Sequence, residues 1–136
     1  MIRLISIILF SVAIIISSII TSCDNSAQVL NSLTFPEEGE VSFIQHVRPF
    51  LMVRCANAGC HSEEHVAGGR RMIEYHHLFE SPGNLGFVIP GNAKGSLFYQ
   101  VLDGTNPHLL NLRLIEVQEN HRQGIERWIN SGARLN

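Results

Sequence analysis

The stretch Arg54-Cys55-Ala56-Asn57-Ala58-Gly59-Cys60-His61 sets two cysteines five positions apart, with four residues between them, and a histidine directly after the second. Two thiols followed at once by an imidazole suit a short list of chemistries. They can add across the vinyl groups of a haem while the histidine takes the iron. They can close a disulfide, hold zinc with further ligands, or remain structural thiols. The usual haem-attaching pattern is C-x-x-C-H, so the gap here is wider. The wider gap leaves Cys60 beside His61, which is the part that proximal ligation requires. Ala56, Asn57, Ala58 and Gly59 are small, so the backbone between the thiols can lie close against a flat ring. Zinc would have to complete its ligand set from scattered histidines.

The beginning of the chain bears on which chemistry is available. Of 136 residues, Leu4 to Ile20 form an almost unbroken aliphatic run behind Met1-Ile2-Arg3. That is the pattern of an export signal, and its length also approaches that of a membrane-spanning anchor. Ile20-Thr21-Ser22-Cys23 is similar to the lipobox of bacterial lipoproteins, an aliphatic residue and two small ones before a cysteine. The expected organisation is a lipoprotein signal peptide over 1–22, a lipid-anchored flexible tether over 23–40, and one small domain over 41–136. Cys23 is the expected lipidation site, and the acyl chains would fix the protein to the cell envelope outside the cytoplasm. The chain has three cysteines. Lipid on Cys23 and either haem or a disulfide on Cys55 and Cys60 accounts for all of them.

Removing the signal takes Arg3 from the ten basic residues and leaves nine against twelve acidic ones. A weakly acidic domain without a basic patch gives no reason to expect a nucleic-acid partner.

Ser42 can cap a helix carrying Phe43, Val47, Phe50 and Leu51 at three-to-four spacing, with Pro49 bending it. That helix would deliver Cys55 to the site. Met72, Tyr75 and Leu78 predict a short helix or pocket wall. The neighbours His76 and His77 point too far apart on a helix to share a metal and read as surface residues. Pro90-Gly91-Asn92 predicts a turn. Ser96 or Asn92 then starts a helix that turns Leu97, Val101 and Phe98 inward. Gln118 to Ser131 is the clearest helix, with Ile125, Trp128 and Ile129 on one face and Gly132 as its stop. Gly124 in its interior is unfavourable by about 1 kcal/mol against alanine, and a close helix crossing is one use for it.

Taken in order, these pieces resemble the small cytochrome c-like domains of exported planctomycete and Bacteroidetes proteins. The shared pattern is Phe43, Val47 and Pro49; Cys55, Cys60 and His61; Gly68-Gly69; Pro90-Gly91-Asn92 with Ser96-Leu97; and Trp128-Ile129 with Gly132-Ala133. It covers about two thirds of the chain, and the wide cysteine gap is familiar among the Bacteroidetes members. The resemblance implies a mainly α fold, with loops around one covalently bound haem c and the first and last helices crossing at Phe43 and Trp128. It also implies Cys55 and Cys60 as the attachment points and His61 as the proximal iron ligand.

One departure matters. Such domains usually carry a Met-Pro pair before the last helix, its thioether being the sixth ligand, whereas this chain has Asn106-Pro107-His108-Leu109-Leu110-Asn111. His108 is therefore the candidate sixth ligand, against an open coordination position, with His46 and His121 as lesser candidates. By analogy with cytochromes c, the Pro90 carbonyl is expected to accept the other ring N–H of His61. The function implied is electron transfer between redox partner proteins by a membrane-tethered c-type cytochrome domain. The rivals are an open-coordination haem enzyme or small-ligand sensor, and a haem-free binding lipoprotein with a Cys55-Cys60 disulfide. No carboxylate or nucleophile forms a recognisable catalytic constellation.

Overall fold

Ser42 begins the first helix as expected: its hydroxyl accepts the Gln45 N–H at 3.2 Å, while its backbone is extended. A computed structural model of the protein describes residues 33–56, 60–80, 86–108 and 117–136. The signal peptide, Cys23 and the tether as far as residue 32 lie outside the described residues. Pro49 bends the helix in a specific way. The first turn, Phe43–Val47, is a π-helix, and a regular α-helix follows over Arg48–Arg54 (α1). A proline in a helix lacks the donor for residue i−4 and crowds that carbonyl, and one wide turn ahead of it relieves both. Two further α-helices follow among the described residues, Leu97–Asp103 (α2) and Glu119–Asn130 (α3). Single 3₁₀ turns at Ala67–Gly69 and Tyr75–Leu78 fill the stretch between α1 and α2. The architecture is mainly helical; the described residues contain one isolated bridge, His61 to Val66, and no strand. None of the described helices is long and apolar enough to cross a membrane.

The first and last helices cross at the expected residues. Phe43 and Trp128 are buried with ring centres 5.8 Å apart, and Phe50 meets His121 at 5.2 Å. Residue numbers rise along α1 as they fall along α3, so the two run antiparallel. Burying side chains of this size stabilises by roughly 1.5–3 kcal/mol each, which makes the crossing the main source of cohesion. Asn136 then closes the start of the π turn that leads into α1. Its side-chain oxygen accepts the Phe43 N–H at 2.9 Å, and its backbone oxygen accepts the Ile44 N–H at 3.1 Å. Those are donors that a helix start otherwise leaves unsatisfied.

Two expectations change. Residues 33–40, which the sequence assigns to the tether, are packed on α3. Asn120 bonds both backbone groups of Phe35, at 2.8 and 3.0 Å, and Arg127 reaches the carbonyls of Pro36 and Glu37. The compact unit thus begins at Leu33. Gly124 serves this strap, since a methyl group there would lie 2.2 Å from the Phe35 ring. The inward face of α2 is also rotated: Phe98, Tyr99 and Leu102 are buried, with Leu97 only partly so. Buried Ser96 fixes that rotation by accepting the Ile89 N–H and donating to the Asn92 carbonyl, both at 2.8 Å.

His121 is almost wholly buried and has both ring nitrogens occupied. Nδ1 accepts the Gln118 N–H at 3.1 Å and Nε2–H donates to the Leu33 carbonyl at 2.7 Å. Burial is the main cause that holds its pKa below the ordinary imidazole value of 6.5, opposed by the Leu33 carbonyl and assisted by the charges of Arg54 and Arg122. A folded-state pKa below the unfolded one means that unfolding takes up a proton. The contribution of His121 is therefore complete above about pH 6.5 and is lost as pH falls through the folded value.

Two measurements check this packing. Gly124→Ala should destabilise by about 1–3 kcal/mol in chemical denaturation, because overpacking against Phe35 outweighs the gain in helix preference. His121→Gln keeps an acceptor and a donor without a titrating ring, so its stability should fall less than the wild type's on going from pH 7 to 5.

Candidate functional site

Cys55 ends α1, its N–H bonded to the Leu51 carbonyl at 2.8 Å. The His61 N–H then donates to the Cys55 carbonyl at 3.0 Å, so the loop between the two cysteines is closed on itself. Residues 57–59 lie outside the described residues. The bond to the Cys55 carbonyl sets the His61 backbone at the end of α1. Cys55 and Cys60 are free thiols rather than a disulfide, Cys55 buried and Cys60 half-buried. Burial, with the neighbouring Cys60 adding and Arg54 opposing, pushes the Cys55 thiol up to about 12.

His61 is held at two points. Its backbone carbonyl accepts the Met72 N–H at 3.0 Å, and its ring Nδ1 lies 3.0 Å from the Arg70 carbonyl. A carbonyl only accepts, so Nδ1 carries the proton and Nε2 has the lone pair, the form in which an imidazole ligates a metal. The carbonyl anchoring the ring comes from Arg70, in place of the Pro90 expected by analogy. Gly68 and Gly69, with φ of 62° and 73°, make this possible by turning the chain back towards His61. Burial lowers the His61 pKa, against the pull of the Arg70 and Ala67 carbonyls.

The other histidines separate by the bonds of their rings. His46, His77 and His121 each use Nδ1 to accept the N–H of a residue starting a helical turn: Ser42, Glu74 and Gln118. They are capping groups, and His121 in addition spends Nε2 on Leu33. His46 and His121 thereby leave the set of candidate sixth ligands. His76 and His77 are neighbours with ring centres 4.2 Å apart, and His76 sits 3.9 Å from the Glu80 carboxylate at the surface. His108 stands apart from these. Its ring centre is 6.0 Å from that of His61, with the planes at 74°. The fold therefore brings His108 to His61 although 47 positions of sequence separate them.

Among the described residues no three His, Cys, Asp or Glu side chains group together as a metal site. What the fold does bring together is the His61 and His108 rings, with the free thiols of Cys55 and Cys60 on the chain that leads into His61. Arg70 is the residue that sequence patterns did not single out. Its only advance signal was its position directly after the Gly68-Gly69 turn. No family model, curated protein or solved structure matches the chain.

With its thiol pushed up to about 12, Cys55 has a thiolate fraction of roughly one in ten thousand at pH 8. In the folded, haem-free chain Cys55 should therefore resist iodoacetamide at that pH and react once guanidinium unfolds the domain. Peptide mass spectrometry reads both states, and equal labelling in the two would contradict the burial.

Proposed function

We propose that this is a membrane-tethered c-type cytochrome domain that carries electrons through one covalently bound haem c. The observation that carries the reading is the His61–His108 pair. The fold brings the two rings to centres 6.0 Å apart with their planes at 74°, so two imidazoles from distant parts of the chain stand where they could serve one iron.

The residues present suit the group on their chemistry. Cys55 and Cys60 would hold it through thioethers, His61 would be the proximal ligand through Nε2, and His108 the sixth ligand. Haem so bound supplies a one-electron ferric/ferrous couple. The Arg70 carbonyl keeps the His61 proton on Nδ1 and raises the donor strength of Nε2. Two imidazole ligands favour ferric iron and place the potential below that of a His/Met site. Because the Cys55 thiol is unreactive once buried, attachment would have to come before α1 packs. The lipobox at Cys23 supports an exported protein held on the cell envelope, where redox partner proteins would reach it.

If His61 and His108 both held the iron, no position would be left for a small ligand and electron exchange would need little rearrangement, which favours a carrier over a ligand-binding enzyme or sensor. The ferrous protein should give a low-spin spectrum and bind carbon monoxide slowly. His108→Ala should lose the low-spin form and bind carbon monoxide at once. Immediate carbon monoxide binding by the wild type would remove His108 as a ligand.

A further inference from the structure

The carbonyl that anchors His61 belongs to a residue whose own side chain is fixed at two points. The Arg70 guanidinium lies 4.0 Å from the centre of the Phe87 ring, and its Nη1 donates to the Glu80 carbonyl at 2.9 Å. Phe87 is a rigid seat. It is buried, its ring packs on Phe98 at 5.4 Å, and its carbonyl accepts the Phe98 N–H at 2.9 Å as α2 begins. A guanidinium on an aromatic face gains about 0.5–2 kcal/mol, more when shielded from water. On the other side of the Arg70 peptide the chain is tied through its backbone alone: the Ala67 N–H donates to the Cys60 carbonyl and the Arg70 N–H to the Ala67 carbonyl, both at 3.2 Å, while the side chains of residues 63–69 are exposed and Gly68 and Gly69 are left-handed. The side-chain hold on this peptide is therefore that of Arg70 itself.

We infer that Arg70 is the positioning residue for His61: its guanidinium, clamped between Phe87 and the Glu80 carbonyl, aims the Arg70 carbonyl at Nδ1 and so selects the tautomer with the lone pair on Nε2. The side chain acts through its own backbone. A cation seated against the α2 end of the core thus determines which nitrogen of a histidine on the other side of the Gly-Gly turn is available to a metal. The meaning of this for ligation rests on the haem reading, whereas the tautomer itself does not.

The test uses the full chain produced without haem-attachment machinery, with nitrogen-15 NMR of the histidine rings at neutral pH. In the wild type His61 should be mainly the Nδ1–H form, opposite to His121, whose Nε2–H form is the internal standard for folding. In Arg70→Ala the ratio of Nδ1–H to Nε2–H at His61 should fall by roughly fivefold, the worth of one ordinary hydrogen bond, with His121 unchanged. Should Arg70→Ala also disturb His121, Arg70→Gln, which keeps the stem without the cation, should show the same selective fall. A wild type dominated by Nε2–H at His61, or a ratio unchanged in a folded variant, overturns the inference. Because no haem is present, a failure of the haem reading leaves this result untouched.

Discussion

Phe43 against Trp128 and Phe50 against His121 register the first helix on the last, and the position of Cys55, from which the site begins, follows from that register. Cys55 is the residue at which α1 stops, so its place is set by how α1 lies on α3. The loop to His61 then closes back on Cys55 through a backbone hydrogen bond. Around the crossing, the chain recruits distant segments as seals. The strap from Leu33 to Val41 fills the notch at Gly124, and Asn136 satisfies the first donors of the π turn ahead of α1. A domain this small has limited apolar volume, and binding both flanking segments to the same pair of helices is how it enlarges its core.

Against that frame the histidines divide by which ring nitrogen bears the proton. Three use Nδ1 as an acceptor for helix-starting N–H groups, which leaves them the Nε2–H form and a structural task. His61 instead has Nδ1 donating to a carbonyl, and the His108 ring lies against it. This division needs no knowledge of a bound group, since it rests on the rule that carbonyls accept and amides donate.

Much of this was legible beforehand, for physical reasons that particular residues make plain. The last helix showed in the periodicity of Ile125, Trp128 and Ile129, and its observed span is Glu119–Asn130. Ser42 as a cap and the crossing at Phe43 and Trp128 were legible too, because capping and burial are local or strongly patterned. Pro49 announced a bend, though not that a π turn would absorb it. The strap was illegible because its parts are scattered: Phe35, Asn120, Gly124 and Arg127 belong together only after folding. The carbonyl partner of His61 was misplaced for a similar reason. A backbone acceptor carries no side-chain signature, and analogy pointed to Pro90 while the Gly-Gly turn delivered Arg70. His108 was singled out by its place in the chain, and the spacing of its ring from His61 is information that only the fold contains.

The central claim is chemical: two thiols of this chain are bonded to one porphyrin. The most direct measurement is the intact mass of the protein purified from the envelope of a host able to attach haem. The account predicts a coloured protein heavier than the lipidated polypeptide by one haem, with that increment absent when both Cys55 and Cys60 are replaced by serine. A colourless wild type with the mass of the lipidated chain alone would contradict it.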